Sequence, residues 1–525
     1  MVKGAQKQNF IGGVAVLTGA VVVVKIISAL YKIPLNNILD SEGVGHFTVA
    51  YNIYGFLLQL SLAGFPLALS KLTSEEYSLG RMNQVRRQFR VASCLFFLLG
   101  ASASAVMFFA AEPLAALLHD SLAAQAVKTL APAVFFVCMA GCCRGYTQGL
   151  GDMRPTALSQ IWEAGGKLAV GLGLAWYVLR CLGRGVEEGA AAAIFGVSVG
   201  SAASALFLGA WLLRRGAVRR GTDRPDPPGA ILHRLLVIGV PITVGSSVMS
   251  LLTLIDQTVV LARLQNALGL TEQAAAALYG EYTFGMTLFN LPATFVYPVT
   301  VSLLPAVSAA LAAGRWERVR RLIAASYRLV ALTALPAGVG MSALAVPVLR
   351  LLYPAVPETA AAAAYHLQIL GVASVFVCLA VLSTAVLQAC GRTDLPIWIA
   401  LIGGSAKIAS NYVLCGDPAW GIRGAPVSTL GCYALMALLS LIAVARVLGK
   451  RRPRCVPVLC KGAAASLVMA ALSARAWRLC ADAGLPTGLG ILAAVLLGAA
   501  VYGALALLLG MVRREDLAAL RRRAR

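Results

Sequence analysis

The chain has 525 residues, of which 59% are hydrophobic and only 13% charged, and its mean hydropathy is +0.79. A soluble protein carries about 25% charged residues, so this composition excludes an ordinary soluble fold and indicates a polytopic membrane protein. The formal net charge of +23 would favour a nucleic-acid partner in a soluble protein. The loop charges described below explain it better, and no nucleic-acid partner is expected.

Apolar segments recur from residue 10 to residue 511, and each is near the length of about 20 residues that a spanning helix needs. We therefore predict an all-α membrane protein with about fourteen transmembrane helices and no separate soluble catalytic domain. The first segment follows Lys3 and Lys7 and is interpreted as a retained helix, not a signal peptide. The segments are 10–33, 45–72, 89–112, 122–146, 156–180, 189–213, 233–263, 276–309, 322–347, 360–389, 395–415, 421–447, 456–480 and 487–511.

The first segment carries two lysines, Lys25 and Lys32, seven positions apart and therefore on one helix face. A charge at the centre of a bilayer costs about 2.5–3.5 kcal/mol, so such a pair is expected to face water and an anionic group. We predict that Lys25 lines a central cavity. Lys32 either lines the same cavity or extends to the membrane interface.

Further ionisable residues are embedded in later segments, with lysines in excess over acids. Lys167 and Lys407 are candidate cavity residues, although Glu163 lies four positions before Lys167 and is suited to pair with it. Asp256 is the best candidate for ion or proton coupling; its alternative is a pair with Arg263 on the same helix face. The excess of lysines favours an anionic substrate, such as a carboxylate or a phosphate.

Basic residues concentrate in every second loop, as the positive-inside rule predicts for a chain with both termini in the cytoplasm. The longest basic loop, 214–234, contains Arg-Arg-x-x-x-Arg-Arg and three prolines. It follows the sixth segment and separates the chain into two near-equal halves. We interpret it as a cytoplasmic linker.

The two halves are related in sequence. Gln148-Gly-Leu-Gly151 and Lys167 correspond to Gln388-Ala-Cys-Gly391 and Lys407 at a constant offset of 240. Internal repeats with a substrate site between the lobes are common in transporters. The predicted domains are a six-helix lobe at 1–222, a second at 223–450, and two further helices with a basic cytoplasmic tail at 451–525.

Residues for catalysis or metal binding do not form a recognisable pattern. The twelve cysteines include no C-x-x-C pair, and the four histidines are far apart in sequence, so no metal or cofactor is expected. No nucleotide-binding G-x-x-x-x-G-K-[ST] motif is present, which argues against direct ATP hydrolysis. We predict a transporter that is not an enzyme.

Several stretches together resemble the stage V sporulation protein B type of polysaccharide-biosynthesis transporters, within the multidrug/oligosaccharidyl-lipid/polysaccharide (MOP) exporter superfamily. The similarity runs through nearly the whole chain in order. The stretches that carry it include Lys25-Ile-Ile-Ser-Ala-Leu-Tyr-Lys-Ile-Pro34, Ala63-Gly-Phe-Pro-Leu-Ala-Leu-Ser-Lys71, Arg144-Gly-Tyr-Thr-Gln-Gly149, Met153-Arg-Pro-Thr-Ala-Leu-Ser-Gln160, Val240-Pro-Ile-Thr243, Leu254-Ile-Asp256, Asn290-Leu-Pro292 and Ser302-Leu-Leu-Pro305.

This resemblance implies two six-helix lobes in a V around a central cavity, with two further C-terminal helices. It implies flipping of an undecaprenyl-pyrophosphate-linked sugar, such as lipid II, from the inner to the outer leaflet of the plasma membrane of a spore-forming bacterium. Basic residues of the N-terminal lobe line the cavity in related flippases, which adds Arg144 to Lys25 and Lys32 as an expected cavity residue. The implied partners are the lipid-linked oligosaccharide, membrane lipids and cell-wall synthesis enzymes, and the expected state is a monomer.

Two alternatives remain open from the sequence. A cation-coupled multidrug antiporter of the same superfamily would need acidic residues facing the N-terminal cavity, and residues 10–33 contain none. A non-transporting scaffold for cell-wall enzymes would need no charged cavity at all.

Overall fold

The structure is a computed structural model that describes residues 2–62, 64–215, 221–392, 394–449, 453 and 455–511. Within these ranges the side chains of some helical residues, including Lys25, lie outside the description. The described chain is almost entirely helical and contains no β-strand. This agrees with the all-α membrane fold that the composition predicts.

The first helix, α1 (Val2–Leu62), contains a sharp kink at Asp40, whose φ of 58° is left-handed. Because its ψ is −173°, Asp40 lies in a region of backbone conformation that residues with a Cβ rarely adopt. The kink divides α1 between the first two predicted segments. Helix α2 (Phe65–Ser78) completes the second segment and begins with Pro66 in its first turn, where proline needs no N–H partner.

The chain divides into two compact units, Met1–Gly280 and Glu281–Arg525. The sequence-based lobe boundaries at residues 222 and 450 stay predictions. The remaining helices that lie within or begin in the first unit are α3 (Met82–Phe109), α4 (Ala111–Leu117), α5 (Ala124–Gly149), α6 (Arg154–Gly166), α7 (Leu172–Trp176), α8 (Val186–Arg215), α9 (Pro228–Asn266) and α10 (Glu272–Phe289).

The second unit continues with a further series of helices. A 3-10 turn, Gly421–Arg423, precedes one of them, and another, Ser121–Ala123, precedes α5 in the first unit. The helices are α11 (Leu291–Ala312), α12 (Trp316–Ala343), α13 (Ala345–Leu352), α14 (Pro357–Ala389), α15 (Asp394–Leu414), α16 (Gly424–Leu448), α17 (Val456–Asp482) and α18 (Thr487–Leu508).

Local geometry in the two units supports the predicted internal repeat. Gly151 lies in the turn that follows α5 and has a φ of 82°. Gly391 lies in the turn that follows α14 and has a φ of 80°. Each glycine donates its N–H to the carbonyl of the glutamine three residues before it, Gln148 or Gln388. The next helix begins three residues after the glycine in both units. Glycine is favoured at both positions because a side chain is strained at this φ.

Helices α3 and α12 form a second matched pair. Both have 28 residues, and both follow a glycine with positive φ, Gly80 at 75° and Gly314 at 66°. Each is followed by a short helix, α4 or α13. The two units are therefore similar also in the length of this helix and in the turn that precedes it.

Ten of the described helical stretches are long and apolar enough to cross a membrane, and each of the fourteen predicted segments coincides with helix. The protein is therefore a multi-pass membrane protein. The count of fourteen crossings stays a prediction. Helices α9, α10 and α11 account for the predicted segments 233–263 and 276–309, and α10 and α11 are separated at Asn290.

Candidate functional site

A cavity of about 340 Å³ lies in the first unit, among α1, α5, α6, α8 and the turn that follows α6. Polar and aromatic side chains line it, together with the small residues Ser28 and Ala164. Two cations and one acid are among these side chains. The residues used below are Tyr51, Tyr54, Arg144, Glu163 and Lys167.

Lys167 begins a π-helical turn, Lys167–Gly171, inside the otherwise continuous helix that runs from α6 into α7. Such π turns are rare and occur frequently at functional sites. The Lys167 ammonium lies 4.6 Å from the ring centre of Tyr31 and 4.7 Å from that of Tyr51. These cation–π contacts hold the charge in place without neutralising it.

Lys32 lies close enough to Lys167 for the two ammonium groups to interact electrostatically. It is half-buried, and the neighbouring Tyr31 is 3% exposed and donates its hydroxyl to the carbonyl of Ala193, 3.3 Å away. The structure thus places Lys167 against the Tyr31 ring, and the Lys167 charge interacts with that of a second predicted lysine, Lys32. Two like charges in a partly buried site favour a shared anion.

Arg144 connects three helices at the wall of the cavity. Its Nη2 atom donates to Glu163 Oε2 at 2.7 Å and to Ser204 Oγ at 2.9 Å, and its Nε donates to Ser159 Oγ at 2.9 Å. The side chains of Arg144 and Glu163 are 15% and 30% exposed, so the pair is shielded from bulk water. Arg144 is therefore held by α6 and α8 as well as by its own helix, α5.

The ion pair differs from the local pair that the sequence suggested for Glu163. Glu163 and Lys167 are four positions apart, but the carboxylate of Glu163 pairs with Arg144 from another helix. The Lys167 charge faces the tyrosine rings. With Glu163 compensated by Arg144, Lys167 contributes the excess positive charge of the cavity, and Lys32 adds to it nearby.

Glycines bring α8 against the helix that carries Lys167. A Cβ on Gly166 would lie 2.7 Å from the Cα of Gly200, and a Cβ on Gly171 would lie 2.7 Å from the carbonyl oxygen of Ala193. Contacts this close exclude any side chain at these positions without movement of the backbone. Close packing of small residues is a common way to fix helix pairs in membranes, and here it fixes the position of the π-helical turn.

Three predicted site residues, Lys25, Asp256 and Lys407, are not among the described lining residues of this cavity. The Lys25 side chain lies outside the description, although Val24 and Ser28 on either side of it line the cavity. Asp256 is half-buried on α9 and is not among the lining residues. Lys407 is half-buried on α15 in the second unit.

Sequence reasoning missed the aromatic part of the site. Tyr31 lies directly before Lys32, and Tyr51 and Tyr54 are three positions apart on one helix face. Their ring centres are 5.6 Å apart, and Tyr51 stacks on Phe47 at 5.8 Å. The spacing of Tyr51 and Tyr54 was a usable signal in the sequence. The proximity of the Tyr51 ring to Lys167, however, depends on packing between distant segments. Among the described residues, no group of three or more His, Cys, Asp or Glu side chains is placed to hold a metal ion.

Comparison with protein-family models gives a match to the polysaccharide biosynthesis protein family over residues 10–311. The chain belongs to this family. A second family model, MatE, matches residues 241–413. Both matches and the relatives below place this polysaccharide biosynthesis protein in the MOP superfamily.

Curated relatives match over most of their length. An uncharacterized membrane protein, YabM of Bacillus subtilis, is 28% identical over 96% of this chain and 93% of its own. The stage V sporulation protein B of Bacillus subtilis is 25% identical over 84% of this chain and 85% of its own. Among solved structures, a lipid II flippase MurJ in an inward closed conformation superimposes with a TM-score of 0.72 at 15% identity, covering 93% of this chain and 97% of that one.

The fold and the relatives together identify a membrane transporter of the MOP superfamily. Of these relatives, the one whose name states a transport activity is the lipid II flippase. The sequence-based assignment of family and fold class is confirmed.

Proposed function

We propose that this polysaccharide biosynthesis protein flips an undecaprenyl-pyrophosphate-linked sugar, lipid II or a related precursor, from the inner to the outer leaflet of the bacterial plasma membrane. The observation that carries the proposal is the excess positive charge of the cavity at Lys167, with Lys32 beside it. The similarity to a lipid II flippase and to a sporulation protein supports the same substrate class.

The chemistry of the cavity suits a diphosphate. Lysine is a compact point charge that binds phosphate without requiring one geometry, and a diphosphate carries enough charge to contact two ammonium groups. Arg144 is already engaged by Glu163 and two serines, so its role in this proposal is to position the wall of the cavity. Tyrosine rings beside Lys167 offer flat surfaces for a sugar or a prenyl chain.

The proposal extends to residues that the described cavity does not include. Lys25 and Lys407 contribute further positive charge to the transport path, and Asp256 couples an ion or a proton to the cycle. The two lobes alternate access to the site by rocking, as in other transporters built from repeats. Both termini lie in the cytoplasm, and the protein works as a monomer beside cell-wall synthesis enzymes.

A cation-coupled multidrug antiporter is the second candidate. Two observations favour it: Glu163 lines the N-terminal cavity, and the MatE model matches residues 241–413. Against it, the Glu163 carboxylate is paired with Arg144 at 2.7 Å and is not available to a cationic drug. The net charge of the lining side chains is positive, which repels such a substrate.

The deciding experiment is complementation of a flippase-deficient strain, with lipid II measured separately in each leaflet of the same cells. Lys167→Met should abolish flipping because it removes the uncompensated charge, and Lys25→Ala should do the same. The matched control is Lys71→Met, which removes an exposed lysine that pairs with Glu75 at 4.0 Å. It should flip normally, and all variants should insert at wild-type levels.

Normal flipping by Lys167→Met would refute the lysine-based mechanism. A strain that is complemented equally by every variant, with no change in the leaflet distribution of lipid II, would favour a scaffold. Export of cationic drugs that depends on Glu163, without lipid II movement, would favour the antiporter.

A further inference from the structure

A second cationic site lies at the start of α3, away from the cavity described above. Arg86, Arg87 and Arg90 occur within the first nine residues of this helix. Arg86 and Arg87 are half-buried and Arg90 is exposed. Among the described residues, none of the three guanidinium groups has an ion-pair partner.

The acids of this region are already engaged by other groups. Glu76, which is 4% exposed, pairs with Arg81 at 3.0 Å and with Arg234 at 3.5 Å. Asp226 pairs with Arg81 at 3.2 Å. The carboxylate of Asp223 accepts hydrogen bonds from two backbone N–H groups at the start of α3, at 2.9 Å each. These acids therefore leave the three arginines uncompensated.

The arginines line a cavity of about 460 Å³ together with Pro225 and Pro228. The two prolines belong to the segment between α8 and α9, which the bonds of Asp223 and Asp226 hold against the start of α3. The cavity is thus a formed pocket with one sign of charge. Three guanidinium groups at one pocket suit a phosphate, which accepts paired N–H bonds.

An apolar groove of about 410 Å³ adjoins this pocket and shares Arg86 and Arg90 with it. Its remaining walls are Phe89, Cys143, Tyr146, Gly209, Leu212 and Leu213. The rings of Phe89 and Tyr146 are 4.3 Å apart, and Leu213 is 85% exposed. A positive pocket that continues into an apolar groove matches a ligand with an anionic head and an apolar chain.

The length of α3 places this pocket at the membrane surface. A helix of 28 residues is about 42 Å long, whereas the hydrocarbon core of a bilayer is about 30 Å thick. Since the long apolar run of α3 begins after Arg90, the arginines fall at the level of the lipid headgroups. Leu212 and Leu213 lie at the end of α8 on the same side of the unit.

We propose that this pocket and groove bind an anionic phospholipid. Its phosphate contacts Arg86, Arg87 and Arg90, and one acyl chain lies in the groove against Phe89 and Leu212. Basic pockets between membrane helices bind anionic headgroups in this way. The lipid would stabilise the contact between the α8–α9 segment and α3, because Pro225 and Pro228 form part of the pocket.

The test measures phospholipid retention by native mass spectrometry of the full-length protein, titrated with phosphatidylglycerol or phosphatidylcholine. The triple variant Arg86→Gln/Arg87→Gln/Arg90→Gln should bind phosphatidylglycerol roughly a hundredfold more weakly, since each basic residue near a lipid surface contributes about fivefold. The matched control is Arg318→Gln/Arg320→Gln/Arg321→Gln, which removes three exposed arginines from the equivalent start of α12. The control should bind like the wild type.

A second variant separates a lipid from a free phosphate. A Cβ added at Gly209 would meet nothing within 4 Å, so Gly209→Leu fills the groove without disturbing the helix. It should weaken phosphatidylglycerol binding at least several-fold while leaving all three arginines in place. Inorganic phosphate at millimolar concentration should not displace the lipid.

Three results would overturn the proposal. One is equal retention of phosphatidylglycerol and phosphatidylcholine by the wild type. Another is an equal loss in the α12 control, which would indicate general surface attraction. The third is unchanged binding by Gly209→Leu or displacement by inorganic phosphate, either of which would mean that the site holds only a phosphate. Size-exclusion chromatography of each variant establishes that it is folded before the titration.

Discussion

The ion pair between Arg144 and Glu163 should stabilise the first unit, and a double-mutant cycle measures by how much. Arg144→Met keeps an unbranched side chain but removes its three hydrogen bonds, one of them to a carboxylate at 2.7 Å. A charge-assisted hydrogen bond contributes about 1.5–3 kcal/mol, and the change also leaves Glu163 unpaired. Because Glu163 is 30% exposed, water offsets part of that cost. We expect a loss of about 2–3 kcal/mol.

Glu163→Gln should cost less, about 1 kcal/mol, because the amide oxygen still accepts from Arg144. In the double variant neither charge is left without its partner. The loss should therefore be smaller than the sum of the two single losses by about 1–2 kcal/mol. The assay is reversible unfolding in mixed micelles, followed by tryptophan fluorescence, on the four proteins of the cycle.

Additive losses would refute this explanation, since they would mean that the two side chains do not interact in the membrane. A pair of exposed residues supplies the control. Lys128 and Glu112 also lie 2.7 Å apart, but their side chains are 41% and 74% exposed. The equivalent cycle on this pair should give a coupling energy below about 1 kcal/mol.

Two further predictions concern packing and a helix start. Gly200→Ala should destabilise the first unit by at least about 2 kcal/mol and lower flipping, because the new Cβ would collide with the carbonyl oxygen of Glu163; wild-type stability and transport would contradict the close packing. Asp223→Ala should cost about 1 kcal/mol in unfolding free energy, because the carboxylate accepts from the N–H groups of Asn83 and Gln84. Burial raises the pKa of Asp223, but these hydrogen bonds outweigh it and hold the pKa below its usual range. The stabilisation that Asp223 contributes to the folded state should therefore be complete above about pH 4 and disappear as the pH falls through the folded-state pKa. If the unfolding free energies of Asp223→Ala and the wild type differed by the same amount at every pH, this explanation would be wrong.

The sequence indicated the fold class and the family because apolar length and periodicity are properties of the chain itself. Segments of about 20 apolar residues have few structural alternatives in a bilayer, where every backbone polar group must be bonded internally. The repeated glycines Gly151 and Gly391 were visible as a motif, and their positive φ explains why that motif recurs. The sequence also singled out Lys32 and Lys167 as embedded cations, and the family resemblance added Arg144.

Only the tertiary structure decided which charges neutralise each other. Spacing along one helix favoured a pair between Glu163 and Lys167, but Arg144 is 19 positions away from Glu163 and is its partner. A local pair on a helix is worth only about 0.2–0.5 kcal/mol, so a better-shielded partner from another helix outweighs it. Which cation keeps its charge available for a substrate thus depends on helix packing. That packing is set by glycines at positions 166, 171 and 200, whose contacts no single segment reveals.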